Sequence, residues 1–176
     1  MTAHATPGRP PSARRAASAA VVVRPARAGD LAGVVALDAR VTGLPKRDYW
    51  LGLFRRYGGA GGGRQFLVAV AGGRVVGFII GEVRDWEFGS PPCGWVFAID
   101  VDPDARQAGV GTRLLGAIAA GFRRQGVRTI RTLLARDNAL VLSFFRSQGM
   151  MAGPFIPLEM DLGNDDAAAA QRGEPR

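Results

Sequence analysis

The sequence predicts an α/β fold: a central twisted, mixed β-sheet of about six to seven strands with helices on both faces. Three observations carry this reading. Apolar runs and helical patterns alternate along the chain in the order β, α, α, β, β, β, α, β, α, β. Two of the runs meet at Gly72-Gly73, a hairpin signal. A third run leads through a glycine-bearing loop straight into a helix over 99–125.

Residues 1–20 hold Ala, Pro, Ser and Arg without apolar periodicity and read as a disordered leader. The first strand, over 21–25, is stopped by Pro25. Asp30 suits the N-cap of a helix carrying Leu31, Val34, Val35 and Leu37. Pro45 opens a second helix, which ends at Gly58-Gly59. Its Tyr49, Trp50, Leu53 and Phe54 fit packing on the sheet. Gly58 to Gly63 reads as a flexible linker. Strands follow over 65–71 and 74–83, then a polar, proline-bearing loop over 84–92 and a strand over 94–101. After the helix that Gly126 ends, a strand is expected over 127–135. Asn138 precedes a helix over 139–148 stopped by Gly149. A last strand is expected over 155–162, and 163–176 reads as a frayed tail. One domain thus spans 21–162.

With 47% apolar and 22% charged residues, the 176-residue chain has an ordinary globular composition. No apolar run approaches the roughly 20 residues that span a bilayer, and no secretion signal is convincing. The chain therefore reads as cytoplasmic, with no membrane partner. The net charge is +8, yet Lys46 is the only lysine beside 22 arginines. With so much Ala and Gly, that bias looks like a GC-rich bacterial genome. No basic run interleaved with aromatics and no recognition-helix motif supports nucleic-acid binding. Cys93 stands alone, without a histidine nearby to activate it, and His4 lies on the leader. No metal-ligand cluster is visible.

The stretch over 99–125 is the main functional clue. Pro103 fits a loop leaving a strand, because it cannot donate a ladder hydrogen bond. Gly109 and Gly111 lack Cβ atoms, so the backbone can curl and a ligand can come close. Leu114, Leu115, Ile118, Ala119 and Phe122 then recur at helical spacing. Unpaired N–H groups and the positive dipole end meet at that helix start, an anion site suited to a pyrophosphate, to which Thr112 adds a hydroxyl. No lysine follows Gly111, so the P-loop pattern fails. Leu114 stands where a dinucleotide fingerprint needs a third small residue.

Arg106-x-x-Gly109-x-Gly111 after a Val-x-Pro strand exit resembles the coenzyme A loop of the GNAT N-acetyltransferases. Val-Arg-Pro-Ala-Arg-Ala-Gly-Asp-Leu resembles the start of such domains, and the element order matches strand for strand. Asn138, Phe145 and Gly149-Met150 stand at the spacing of that family's Asn … Tyr … Gly-Phe ending. The resemblance implies a GNAT-like sheet and acetyl-CoA as donor, with no metal. It implies that Ile99, Asp100 and Val101 hold the pantetheine arm through their backbone. Arg106, Gln107, Ala108, Gly109, Val110, Gly111 and Thr112 would hold the pyrophosphate. Asn138 would bind the pantetheine; equally, it would serve as a helix-cap residue. The second helix and its flanking loop would shape the acceptor side.

Phe145 departs from the pattern, since many relatives place there a tyrosine that protonates the thiolate; water or Ser143 could substitute. Leu133 stands where relatives that acetylate ribosomal protein N-termini carry a glutamate, which disfavours that assignment. For the general base the candidates are Glu82 and Asp100, whose pKa burial would raise. Glu82 equally fits a solvated strand end, and Asp100 a buried anchor. The implied function is acetyl-CoA-dependent transfer of an acetyl group to a primary amine of a small molecule or peptide. The alternative is a non-catalytic acyl-CoA-binding or interaction module on the same fold. A homodimer is compatible with the resemblance.

Overall fold

The computed structural model describes residues 20–59 and 61–162, and it places five strands in one sheet ordered β1-β2-β3-β4-β5. β1 (Val22–Pro25), β2 (Arg64–Ala71), β3 (Arg74–Arg84) and β4 (Cys93–Val101) pair antiparallel in sequence. β5 (Ile130–Thr132) lies parallel to β4. Connection length explains the difference. Gly72 and Gly73 take φ of 54° and 76°, which a tight hairpin needs and only glycine adopts freely. From β4 the chain returns through α3 (Val110–Arg124), and a helical crossover brings a strand back parallel.

Strand alternation deals side chains to two cores. Phe66 and Val68 face α1 (Leu31–Thr42) and α2 (Arg47–Tyr57), where they meet Val34, Leu37 and Trp50. Leu67 and Ala69 face α3 and α4 (Ala139–Ser147), where they meet Leu114, Ile118, Phe122 and Phe145. The Phe122 ring lies so close to β4 that a Cβ at Gly94 would collide with it. Helices therefore cover both faces of a mixed sheet, as the sequence predicts.

Several expectations change. The strand expected over 127–135 is three residues long: Val127 is already in the core before the ladder starts, and the ladder stops after Thr132. The segment over 155–162 forms no strand, because no neighbour among the described residues pairs with it, and its apolar side chains stay exposed. The sheet accordingly has five strands rather than six or seven among the described residues. Asp30 does not cap α1 through its side chain. Its carboxylate accepts two hydrogen bonds from Arg24 (2.6 and 2.8 Å) and one from the Arg27 N–H (2.8 Å), fixing the corner between β1 and α1. Pro45 precedes α2 rather than opening it. Trp50 is buried and Leu53 and Phe54 pack against the core, whereas Tyr49 is exposed. Cys93 is a buried thiol at the start of β4. The leader over 1–20, with His4, and the tail over 163–176 lie outside the described residues, except Ala20. Among the described residues no helix is long and apolar enough to cross a membrane.

Candidate active site

The site begins where β4 and β5 part. They pair only at Gly94↔Ile130, Trp95↔Arg131 and Val96↔Thr132. On the other side of β4 the register shifts between Ile80 and Gly81, which pair with Ala98 and Val96 and leave Phe97 as the extra residue of a bulge. From Phe97 to Val101 the β5-facing side of β4 therefore has main-chain groups without a ladder partner.

Ile99, Asp100 and Val101 form one wall of a cavity of about 250 Å³. Arg106, Gly109, Gly111 and Thr112 close one end, and Val141, Phe144 and Ser147 of α4 form the opposite wall. The loop is built from the end of β4 outward. Asp102, nearly buried, accepts the Asp104 N–H (3.0 Å) and caps the turn Pro103–Ala108. Arg40 donates to the same carboxylate at 2.9 Å, and Arg74 lies 3.6 Å from it. Gly109, at φ 68°, then breaks the turn from α3. A Cβ there would meet open space, so the left-handed backbone alone calls for glycine. At Gly111 the reason differs: a Cβ would lie 2.9 Å from the Phe144 ring.

No side chain caps α3, and the first α-helical bond runs from the Arg113 N–H to the Gly109 carbonyl (3.1 Å). The N–H groups of Val110, Gly111 and Thr112 thus have no acceptor inside the helix. The Val110 side chain is buried in the core, so only its main chain can serve a ligand. Arg106 donates from Nε to the Val101 carbonyl (3.4 Å), which ties its guanidinium to the strand end. Gln107 and Ala108 are exposed and do not line the cavity.

Ile99 and Asp100 also line a second cavity, of about 370 Å³, between β4, α2 and the start of α4. Its polar lining includes Asp38, Lys46, Tyr49, Trp50 and Asn138. Asp38 is only 2% exposed. Its carboxylate accepts the Trp50 indole N–H (2.8 Å) and pairs with the Lys46 ammonium (3.1 Å). Asp100 has no such hydrogen bond among the described residues. Its carboxyl is pushed up to about 6, first by burial and then by the Asp38 carboxylate, with the charges of Arg106 and Lys46 opposing.

The two base candidates are therefore placed apart. Glu82 lines neither cavity; its oxygens accept from the Tyr57 hydroxyl (3.1 Å) and from Arg84 Nε (3.2 Å). Of the two positions considered for Asn138, the helix cap is the one observed, and the residue does not line the first cavity. Its Oδ1 accepts the Val141 N–H (3.2 Å) and caps α4, and the residue lines the second cavity. Phe145 is a core residue on the wall of that cavity. Ser143 is exposed and lines neither cavity. Ser147 lines the first, with its hydroxyl donating to the Phe144 carbonyl (2.7 Å).

Sequence reasoning missed Asp38, the partnership of Lys46 and the position of Ser147. Asp38 had a visible signal, an acid adjoining the apolar stripe of Val34 and Leu37. Nothing in the order of residues showed that Lys46 would reach it. Among the described residues, no group of three or more His, Cys, Asp or Glu is placed to hold a metal ion.

The model of the acetyltransferase (GNAT) family matches residues 31–150, from the start of α1 to just beyond α4. The chain belongs to the GNAT acetyltransferase family. Within it, a mycothiol acetyltransferase of Saccharomonospora viridis is 36% identical over 87 residues, 48% of this chain and 28% of that protein. An L-2,4-diaminobutyric acid acetyltransferase of Nocardia farcinica is 28% identical over 134 residues, 75% of this chain and 65% of that protein. This GNAT chain thus spans less than two thirds of the length of either relative. Among solved structures, aminoglycoside N-acetyltransferase AAC(6')-Iy in complex with CoA superposes with a TM-score of 0.72. It is 19% identical, covering 82% of this chain and 97% of that one, so the likeness is one of fold.

Proposed function

We propose that the chain is a cytoplasmic acetyltransferase that moves the acetyl group of acetyl-CoA directly onto a primary amine of a small molecule or peptide. One observation carries this reading: Ile99 and Asp100 form a wall of both cavities. A thioester at the inner end of the first would meet an amine held in the second. That juxtaposition supplies the proximity on which direct transfer depends.

The residues divide the work as follows. The amides of Val110, Gly111 and Thr112, with Arg106, hold the diphosphate. The unpaired main chain of Ile99, Asp100 and Val101 holds the pantetheine arm. Asp100, with a carboxyl at about 6, is mostly ionised near neutral pH and takes the proton from the amine directly or through a water. The nitrogen lone pair attacks the thioester carbon, the C–S bond breaks, and the extra proton left on the nitrogen passes through water to the departing thiolate. No tyrosine hydroxyl is needed for that step, since a thiolate leaves readily. The acceptor cavity holds two carboxylates and one cation, the half-exposed Lys46, a balance that favours a cationic amine. The cavity's size and the small-molecule acceptors in the relatives' names favour a small amine over a peptide.

Incubating the full chain with acetyl-CoA and a panel of amines, and following free thiol, tests the proposal. Amine-dependent thiol release is the expected result. Saturable acetyl-CoA binding without release would replace the enzyme with a binding module.

A further inference from the structure

A separate pocket, of about 650 Å³, lies on the β1 side of the sheet and shares no lining residue with the two cavities of the candidate site. Small-molecule sites occupy roughly 300–1,000 Å³, so the pocket is large enough for one. Three local features open it. β1 leaves the ladder at Pro25, opposite Leu67, so Arg64, Gln65 and Phe66 of β2 run on without β1 beside them. α3 crosses this stretch on small residues, Ala117, Ala120 and Gly121. Gly121 is required there, because a Cβ would collide with the Gln65 carboxamide. Last, the chain enters β2 through residues 61–63, all glycine, which leave the end of the pocket unfilled.

The lining is one-sided in charge. No Asp or Glu lines the pocket, whereas Arg24, Arg64 and Arg124 do. Arg24 is bound to Asp30. Arg64 and Arg124 form no ion pair among the described residues. Arg64 lies over the Tyr57 ring, 5.8 Å from its centre, which leaves its charge uncompensated. The dipole of α3 does not account for Arg124, since Arg123 stands in the same last turn without lining the pocket. The two arginines flank one mouth. Gln125 Oε1 lies 3.3 Å from where a Cβ on Gly63 would stand, so the end of α3 meets the start of β2, and Arg124 and Arg64 adjoin those two residues.

Neutral donors gather at the same place. The N–H groups of Gly61, Gly62 and Gly63 have no main-chain acceptor among the described residues. Gln65 Nε2 reaches the Ile118 carbonyl and Gln125 Nε2 the Gly121 carbonyl only at 3.5 Å each. Contacts that long are weak, and a charged acceptor can replace them. Ala117, Ala120 and Leu67 supply an apolar wall beside these donors. We propose that this pocket is a second ligand site, for a small molecule with an apolar body and one carboxylate or phosphate group. The body lies on Ala117, Ala120 and Leu67, and Arg64 and Arg124 hold the oxyanion, which a guanidinium can bind through two parallel hydrogen bonds.

This inference rests on the fold and does not depend on acetyl transfer. The test titrates the full, nitrogen-15-labelled chain with phenylacetate, phenyl phosphate and inorganic phosphate, following amide chemical shifts. Saturable shifts at 61–63 and 117–121 are expected with at least one phenyl probe, and the tighter of the two assigns the head group as carboxylate or phosphate. That probe should bind about tenfold or more tightly than inorganic phosphate, because its ring covers the apolar wall. Arg64→Gln and Arg124→Gln should each weaken it about tenfold. Both side chains are exposed, so melting temperature and far-UV spectrum should not change. Ala120→Phe, which fills the pocket, should block binding with both arginines in place. Absence of saturable shifts with both phenyl probes at millimolar concentration would overturn the proposal. So would shifts confined to 109–112, which would put the probe at the diphosphate loop, or an affinity indifferent to both arginine variants. Inorganic phosphate binding as tightly as the phenyl probes would also overturn it, since the apolar wall would then contribute nothing.

Discussion

Asp100 makes the most direct prediction at the scale of single residues. The carboxylate proposed as the base must be ionised to act, so kcat/KM should rise with pH through an apparent pKa of about 6. Asp100→Asn should remove that limb and lower kcat by about 100-fold or more, as read from thiol release across pH 5 to 8. Stability should move the other way. Because burial raises the carboxyl in the folded state, the folded chain keeps a proton that the unfolded chain has lost between about 4 and 6. Stability therefore falls as pH rises through that window, and Asp100→Asn should melt at a higher temperature than the wild type above pH 6. Asp38 acts in the opposite sense. Its removal strands the Trp50 indole N–H inside the α1–α2 core, so Asp38→Ala should cost about 2–3 kcal/mol in urea unfolding. Asp38 shows why residue type alone is a poor guide to role. The aspartate adjoining an apolar helix stripe was readable, but its partners at positions 46 and 50 come from a different helix and its entry loop.

Among the elements, the loop after β4 was the most legible, because its requirements are local. Pro103 leaves the strand, Gly109 supplies a left-handed residue, and the following helix starts without a cap. Gly109→Ala should cost about 1–2 kcal/mol of stability from backbone strain alone. It should also raise the KM for acetyl-CoA several-fold, because the amides it orients would be displaced. The loop's anchor could not be read from sequence. Asp102 is held by Arg40 of α1 and lies near Arg74 at the β2–β3 turn, both distant in the chain. Asp102→Ala should therefore weaken acetyl-CoA binding, raising KM, while kcat at saturating donor stays near the wild-type value, since Asp102 lines neither cavity. An equal fall in kcat would show that the carboxylate does more than hold the loop. Helix starts were less legible than the loop. Asp30 had the right chemistry for a cap, but Arg24 of β1 bonds its carboxylate and lowers its pKa.

For the molecule as a whole, a ligand that binds only the folded chain must stabilise it by mass action. Acetyl-CoA at 100 times its dissociation constant should add about 2.7 kcal/mol to unfolding, seen as a rise in melting temperature that grows with ligand concentration. Periodicity was enough to read a mixed sheet with helices on both faces, because a period of two or of 3.6 is written in neighbouring residues. It was not enough to count the strands. A strand exists only when another chain segment offers its main-chain groups, and periodicity is blind to partners. Hence 155–162 reads as a strand yet joins no ladder among the described residues, and 127–135 shortens to the three residues that reach β4. By itself the sequence determined the order of elements from β1 to α4, the hairpin at Gly72-Gly73 and the glycine-broken loop at the head of α3, all set by interactions within a few residues. The tertiary structure alone decided that Asp100 rather than Glu82 faces both cavities, and that Asp38 and Lys46 meet beside it. Those outcomes depend on where β4 parts from β5 and on how α1 and α2 cross the sheet, and contacts between segments so far apart in the chain leave no trace in local spacing.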